Sequence, residues 1–285
     1  MSNINFVFFG TSEFAVKILD ILVKNGYLPN LVITAPDRPK GRKMILTPPP
    51  IKIFAQENNI KIIQPEKLNI NLDIECPSGG YDLFIVADYG KIIPKSVLSL
   101  PKHGTINVHP SLLPKFRGPS PIQFFILSGE EKTGVTIMLM DEQVDHGAIL
   151  TQQQYQGNAL ILPKMEEFLA ELGGEMLVEV IPKWINGEIK PTEQNHDKAT
   201  FTKKISKEDG LVDLEKDAPE IIYRKFLAFQ PWPGIYYFAK KDGKDTRVII
   251  TDMELKDGKL EIKKVKPEGK NEVSFDVFSK SLEHK

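Results

Sequence analysis

The chain has 285 residues, of which 41% are hydrophobic and 26% are charged, and its formal net charge is −1. This is an ordinary globular composition, and the length suits one large domain followed by a smaller one. A near-neutral chain is not a DNA-coating protein, and the single cysteine, Cys76, excludes an internal disulfide framework. No apolar stretch approaches the roughly 20 residues that span a bilayer, and the N-terminus lacks the features of a signal peptide. We therefore expect a cytoplasmic monomer that binds neither DNA nor a membrane.

The first half of the chain alternates strand-like and helix-like segments. Residues 13–24 carry apolar positions at helical spacing after Ser12, which can serve as the N-cap, and residues 51–58 form a second predicted helix. Short apolar runs predict strands at 4–9, 31–35, 60–63, 82–87, 105–108 and 134–140, and residues 147–155 can pair with the last of them as a hairpin. The β-α-β-α-β order at the start indicates a parallel sheet with crossover helices, and hence an α/β, Rossmann-like fold.

The second half changes character twice. Residues 163–185 have a helical pattern that we expect to break into two pieces near Gly173 and Gly174, and the polar residues 186–205 indicate a linker. Beyond the linker, the pattern predicts a helix at 218–229, strands at 234–238, 247–251 and 260–265, and a tight hairpin turn at Asp257-Gly258. We therefore predict a large domain over 1–185, a linker over 186–205 and a small β-barrel domain over 206–285.

The densest group of polar residues follows the strand at 105–108. Asn107 and His109 are two apart, so their side chains share one face of that strand. Sites in open α/β sheets lie beyond the carboxyl ends of strands, and a Pro-rich loop follows here. Asp145 also follows a predicted strand, and we expect it to reach the same sheet edge. Alternatively, Asn107 and His109 only satisfy nearby backbone groups.

This trio matches the needs of formyl transfer to an amine. Asn107 can donate to the oxyanion of a tetrahedral intermediate, and His109, held by Asp145, can handle protons near neutral pH. Such a reaction needs no metal and no covalent nucleophile. The five histidines do not have the spacing of a zinc site, and the turn after the first strand lacks Gly-x-Gly-x-x-Gly. We therefore predict no metal and no dinucleotide cofactor.

Two short segments are rich in cations. Four cations lie in a Pro- and Gly-interrupted stretch, which suits contact with a phosphate backbone: Arg38, Lys40, Arg42 and Lys43. Lys203, Lys204 and Lys207 form a second cluster beside the predicted linker. The alternative for both is an ordinary solvated loop, and residues 201–285 carry only 18 Lys and Arg against 16 Asp and Glu.

The segment from Asn107 to Gly118, Asn-Val-His-Pro-Ser-Leu-Leu-Pro-x-x-Arg-Gly, resembles the signature of the formyltetrahydrofolate-dependent formyltransferases. The similarity runs nearly end to end and is greatest to the methionyl-tRNA branch of that family. Segments that resemble this branch include Pro-Asp-Arg-Pro-x-Gly-Arg at 36–42, Ala-Asp-Tyr-Gly-Lys-Ile-Ile-Pro at 87–94 and Phe-Gln-Pro-Trp-Pro-Gly at 229–234.

The resemblance implies a parallel-sheet catalytic domain joined to an OB-like C-terminal domain. It implies transfer of a formyl group from 10-formyltetrahydrofolate to the α-amino group of methionyl-initiator tRNA, with Asn107, His109 and Asp145 as catalytic residues. The residues that it places at the folate are Ser111, Leu112, Leu113, Pro114, Tyr89, Gly90, Ile92 and Asp141. The residues that it places at the tRNA are Arg38, Lys40, Arg42, Lys43, Lys204 and Lys207.

The chain departs from the family pattern in two places. Gln143 stands where the family has glycine in Met-Asp-x-Gly-x-Asp, and the C-terminal domain is short between Thr251 and Gly258. Three other functions share some of these features. They are a formyltransferase acting on a sugar-nucleotide amine or a purine precursor, a hydrolase that releases formate from the folate, and a non-catalytic RNA-binding protein.

Overall fold

The computed structural model describes residues 4–41, 43–68, 79–157, 160–241 and 243–283. The chain forms two compact units. The first comprises Met1–Pro121, Lys132–Gln156 and Glu166–Thr202, and the second comprises Ile122–Glu131, Gly157–Met165 and Lys203–Lys285. Cys76 and Arg42 lie outside the described residues.

The predicted strands and helices are present in the predicted order, and further short elements that were not predicted lie between and after them. The strands are β1 Phe6–Gly10, β2 Leu31–Ile33, β3 Arg38–Lys40, β4 Ile45–Thr47, β5 Ile62–Ile63, β6 Leu83–Ala87, β7 Thr105–His109, β8 Lys132–Leu139, β9 Ile149–Gln156, β10 Ile235–Lys241, β11 Lys244–Lys256, β12 Lys259–Pro267 and β13 Val273–Ser274. The helices are α1 Glu13–Lys24, α2 Pro50–Glu57, α3 Lys95–Leu98, α4 Pro121–Ser128, α5 Leu162–Ile185, α6 Pro219–Ala228 and α7 Phe275–Glu283. Ser12 is the N-cap residue of α1, but its side chain makes no capping hydrogen bond.

The first unit is built on a seven-stranded sheet with the order β5-β2-β1-β6-β7-β8-β9. The first five of these strands are parallel, as predicted, and β1, β6 and β7 are buried along their whole length because helices and loops cover both faces. β8 is antiparallel to β7, and β9 is antiparallel to β8, which confirms the predicted hairpin.

Helix α5 is continuous from Leu162 to Ile185, so the predicted break at the glycine pair is wrong. The two glycines instead allow the helix to pack closely against its neighbours. A Cβ on Gly173 would lie 2.6 Å from Val108 Cγ1 of β7, and a Cβ on Gly174 would lie 2.7 Å from Ile21 Cδ1 of α1. Val108 therefore faces α5, while Asn107 and His109 point to the opposite face of the sheet.

Residues 186–205 are not a free connector over most of their length. Thr192 pairs with Ile149 of β9, and Phe201 pairs with Arg117 as an isolated bridge. Gln194 is buried, although its surroundings in sequence are polar. The sequence indicated a linker because this segment is polar. In the structure, hydrogen bonds rather than an apolar face hold the segment in place.

The second unit contains a four-stranded antiparallel sheet with the order β10-β11-β12-β13. Asp257 and Gly258 have φ values of 49° and 72° and form the predicted hairpin turn between β11 and β12. The pairing among the described strands is linear, so this is an open sheet and not a closed barrel. None of the helices in the described ranges combines the length and apolarity that crossing a bilayer requires.

Candidate active site

Asn107, His109 and Asp145 come together on the face of the sheet opposite α5. Asn107 Nδ2 lies 3.5 Å and His109 Nδ1 lies 3.6 Å from the same carboxylate oxygen, Asp145 Oδ1. The other oxygen, Asp145 Oδ2, accepts a 2.7 Å hydrogen bond from the backbone N–H of Gly118. Asn107 and His109 are 9% and 4% exposed, so the three polar groups converge in a largely dehydrated place.

Asp145 reaches this point by a different route from the one expected. Because β8 is antiparallel, it ends beside Ile106, at the start of β7 and not at its carboxyl end. Residues 140–148 then fold back across the sheet face and carry Asp145 over Asn107 and His109. The expectation that the loop after β8 starts at the same sheet edge as the end of β7 is therefore wrong, although the three residues do meet.

The ring of His109 is held by the loop that follows β7. His109 Nε2 lies 3.0 Å from the carbonyl oxygen of Phe116. A carbonyl oxygen can only accept, so Nε2 carries a proton and donates it to that oxygen. Phe116 has a φ of 60°, and its own N–H donates to Thr200 Oγ1 at 2.8 Å, which fixes its peptide. The ring atom that remains for chemistry is Nδ1, which faces Asp145.

The loop Ser111–Pro114, expected at the folate, is tied to β8 and β9. Ser111 Oγ donates to the carbonyl of Lys115 at 2.6 Å, and Gln152 Nε2 donates to the carbonyl of Leu113 at 2.8 Å. Ser111 and Leu113 are 0% and 3% exposed, whereas Leu112 and Pro114 are half-buried. Side-chain contact with a ligand in this loop is therefore open to Leu112 and Pro114 rather than to Ser111.

Three of the other expected folate residues follow β6. Gly90 and Ile92 are exposed, and Ile92 is 87% exposed, which is high for an isoleucine. Tyr89 is buried, and burial raises the pKa of its hydroxyl to about 12. Its hydroxyl oxygen has no hydrogen-bond partner among the described residues.

The fourth, Asp141, is held within the loop 140–148. Its Oδ2 lies 2.6 Å from His146 Nδ1, and its Oδ1 accepts from the backbone N–H of Gln143 at 2.8 Å. Gln143 is exposed and lies outside the left-handed region, which Asp145 occupies with a φ of 49°. The glycine that the family has at position 143 is therefore not required by the backbone of this chain.

The first basic segment forms a β-hairpin rather than an irregular loop. β3 pairs with β4, and Asp37 at its base accepts two hydrogen bonds from Lys52 Nζ, at 2.9 and 2.8 Å. These bonds and one from Gln64 hold the pKa of Asp37 below its usual value. Arg38 and Lys43 are exposed, and Lys40 lies in β3.

The tip of this hairpin also exposes apolar side chains. Met44, Ile45 and Leu46 are 68%, 61% and 64% exposed. The second basic cluster belongs to the other unit, where Lys204 and Lys207 are exposed and Lys203 Nζ lies 2.6 Å from Asp209 Oδ1.

Sequence reasoning missed two buried polar side chains next to the trio, Arg117 and Gln194, which are 3% and 5% exposed. Arg117 is part of the family motif, but no role was predicted for it from the sequence. Gln194 lies inside the predicted linker. The local sequence does not indicate that Gln194 is buried, because its hydrogen-bond partners lie up to 77 residues away in sequence. Within the described part of the chain, no three His, Cys, Asp or Glu side chains are arranged to hold a metal ion.

Comparison with known protein families gives two matches. A model described as Formyl transferase matches residues 2–181, and one described as Formyl transferase, C-terminal domain, matches residues 204–259. The methionyl-tRNA formyltransferase of Chloroflexus aurantiacus is 42% identical to this chain over 259 residues, which is 88% of this chain and 81% of that protein.

Solved structures share the fold at lower identity. A methionyl-tRNA formyltransferase from Clostridium thermocellum is similar with a TM-score of 0.61 at 16% identity, over 95% of this chain and 99% of that chain. An N-formyltransferase from Helicobacter canadensis, in complex with folinic acid and dTDP-3-aminofucose, has a TM-score of 0.62 at 19% identity, over 91% of this chain and 95% of that chain.

Proposed function

This chain belongs to the formyl transferase family, and on that premise we propose that it formylates methionyl-initiator tRNA with 10-formyltetrahydrofolate as donor. The observation that supports the reaction is the convergence of Asn107, His109 and Asp145 around one carboxylate oxygen. The observation that supports the substrate is 42% identity, over most of both chains, to a methionyl-tRNA formyltransferase. We propose the same three residues as catalytic.

Asn107 has the donor that the reaction requires. Among the described residues, the one hydrogen-bond partner of its Nδ2 is Asp145 Oδ1. The distance of 3.5 Å is too long for a strong hydrogen bond. Its N–H groups are therefore available to a substrate. When an amine attacks the formyl carbon, the formyl oxygen becomes an oxyanion, and a fixed N–H donor lowers that barrier.

His109 and Asp145 handle the proton. The attacking nitrogen forms a bond to the formyl carbon and loses one proton, and N10 of the folate gains one as the bond from N10 to that carbon breaks. Because His109 Nε2 is engaged by Phe116, Nδ1 accepts the proton from the amine. The Asp145 carboxylate, 3.6 Å away, stabilises the imidazolium that forms.

The acceptor amine needs little activation. An α-amino group has a pKa of about 7.7–8.0, so a substantial part is unprotonated near neutral pH. Catalysis then consists of orientation, stabilisation of the oxyanion and transfer of one proton, without a covalent nucleophile. The donor contacts that we propose are the side chains or exposed backbone of Leu112, Pro114, Tyr89, Gly90, Ile92 and Asp141, and the backbone of Ser111 and Leu113, whose side chains are buried.

The β3–β4 hairpin supports a nucleic acid as the acceptor. Its exposed cations suit phosphates, and its exposed apolar tip, Met44 to Leu46, suits contact with bases. We propose that tRNA contacts Arg38, Lys40, Arg42, Lys43, Lys204 and Lys207.

The test is formyl transfer from 10-formyltetrahydrofolate to three acceptors: methionyl-initiator tRNA, the same tRNA uncharged, and a dTDP-linked amino sugar. We expect transfer to the charged tRNA alone. The Asn107→Ala variant controls for uncatalysed transfer. Transfer to the amino sugar alone would keep the catalytic trio and overturn the substrate, and release of formate without an acceptor would indicate a hydrolase.

A further inference from the structure

Asp145 occupies a backbone conformation that the chain must enforce. Its φ of 49° lies in the left-handed region, which is uncommon for residues other than glycine. The loop 140–148 that carries it is not part of the sheet. A carboxylate that has to face both Asn107 and His109 therefore depends on contacts that hold this loop.

Gln194 supplies two of these contacts. Its Nε2 donates to the backbone carbonyl of Asp145 at 3.0 Å and to that of Gly147 at 2.8 Å. Gln194 is 5% exposed, so water does not compete for these bonds. One buried amide thus fixes two peptides that follow Asp145, the one between residues 145 and 146 and the one between residues 147 and 148.

Arg117 determines which way that amide points. Its Nε and Nη2 donate to Gln194 Oε1 at 3.2 and 2.6 Å, and its Nη2 donates to His196 Nδ1 at 2.9 Å. A guanidinium can only donate, so the oxygen of Gln194 must face Arg117, and its NH2 must face the carbonyls. The reverse orientation of the amide would place donor against donor and carbonyl against carbonyl.

Arg117 is itself fixed by the segment 200–202. Its N–H donates to the Thr200 carbonyl at 2.8 Å, and its carbonyl accepts from the Thr202 N–H at 2.7 Å. The next residue, Gly118, donates to Asp145 Oδ2. A Cβ on Gly118 would lie 2.9 Å from Thr202 O, so this approach requires glycine. The Arg-Gly pair thus acts on both the carboxylate and, through Gln194, the backbone of Asp145.

We propose that Arg117 and Gln194 are positioning residues for formyl transfer, which hold Asp145 so that its carboxylate faces Asn107 and His109. This inference rests on the proposed function. Neither side chain contacts the reacting atoms. Their effect is on the geometry of Asp145, where a displacement of about 1 Å can lower a rate by about 100-fold.

The sharpest test is Gln194→Glu, which keeps the shape and the contact with Arg117 but loses both N–H donors. We expect kcat for formyl transfer to fall about 10- to 100-fold, while KM for each substrate changes less than about 2-fold. Arg117→Lys is a second variant, which keeps the positive charge but loses the planar pair of N–H donors. It should lower kcat in the same way. Asn195→Ala is the matched control, because Asn195 is the exposed neighbour whose side chain accepts a local hydrogen bond from the Asp197 N–H.

Hydrogen exchange of the amides of residues 141–147 separates the inference from the proposed function. Gln194→Glu should speed exchange in this loop, while thermal unfolding shows that the variant remains folded. Unchanged exchange, or a larger KM with unchanged kcat, would overturn the positioning role. Absence of formyl transfer by the wild type would overturn the proposed function instead, and the exchange result would still decide whether Gln194 holds the loop.

Discussion

At the scale of single residues, the site combines one donor, the Asn107 amide, with two acceptors, His109 Nδ1 and the Asp145 carboxylate, and the three are only loosely in contact. The distances of 3.5 and 3.6 Å from Asp145 Oδ1 leave Asn107 and His109 available to a substrate, while the N–H of Gly118 fixes the other carboxylate oxygen at 2.7 Å. This pattern is typical of a site whose hydrogen bonds tighten when the reactants bind.

The roles of Asn107 and His109 predict separate kinetic effects. Asn107→Ala should lower kcat about 100- to 1,000-fold, as loss of an oxyanion donor does. His109→Ala should lower kcat about 100- to 10,000-fold, as loss of a general acid–base group does. Steady-state kinetics with methionyl-tRNA measure both, and circular dichroism controls for folding. Wild-type turnover in either variant would contradict the role assigned to that residue.

Glu166 on α5 predicts a pH dependence of stability. Burial raises its pKa from 4.5 to about 7, and the nearby Asp88 carboxylate adds to the rise. A carboxyl group with a raised folded pKa stabilises the protein fully below its unfolded pKa, and this stabilisation is lost as the pH rises through about 7. The loss is at most about 3 kcal/mol, since one pKa unit is about 1.4 kcal/mol.

Urea unfolding at about pH 5.5 and about pH 8 measures this effect. Relative to the wild type, Glu166→Gln should become more stable at the higher pH, because glutamine never ionises. Glu167→Gln, at the exposed neighbouring position, is the control. An equal difference in unfolding free energy at both pH values would contradict a raised pKa.

At the scale of elements, the sequence predicted most strands and helices because their apolar residues follow the period of each element. It failed where one pattern has two physical meanings. A glycine pair in a helix can break it or let it approach a neighbour, and only the packing of Gly173 on Val108 distinguishes the two. The sequence also could not give the direction of β8, because the alternation of apolar and polar residues is the same in parallel and antiparallel strands.

The sequence also could not predict residues whose hydrogen-bond partners lie far away along the chain. Asn107, His109 and Asp145 could be found because their chemistry is rare in combination and because the segment resembles a known family. Gln194 has no such signature, since it is one polar residue among many, and its burial depends on chain segments far away in sequence.

The packing of α5 predicts that Gly173→Ala destabilises the protein. A methyl group 2.6 Å from Val108 Cγ1 must displace the helix or the strand, and overpacking costs about 1–3 kcal/mol. The better helix propensity of alanine, about 1 kcal/mol, offsets part of this. Urea unfolding should show a net loss, whereas Glu175→Ala at an exposed position of α5 should be close to neutral. A more stable Gly173→Ala protein would contradict the close approach.

At the scale of the whole molecule, the net charge of −1 makes binding of tRNA depend on local clusters of cations. The exposed hairpin cations Arg38 and Lys43 are therefore expected to contribute to KM for tRNA and not to KM for the folate.

Salt dependence tests this expectation. kcat/KM for methionyl-tRNA should fall as salt concentration rises, because phosphate contacts release counterions. In Arg38→Ala/Lys43→Ala, KM for tRNA should rise and the slope against log salt should become shallower by about 1 to 2. Lys190→Ala, which removes an exposed lysine elsewhere, is the control. A changed KM for the folate would show that the hairpin has been misassigned.

The pairing of Arg117 with residues 200–202 bears on the order in which the protein is made. A nascent chain of 185 residues contains every strand of the seven-stranded sheet and all three members of the trio. It still lacks Gln194 and the threonines that hold Arg117. The nascent protein can therefore complete its sheet before its reaction centre. Asp145 reaches its final geometry only when the polar segment that contains Gln194 and residues 200–202 has been made and has bound Arg117 and the loop 140–148.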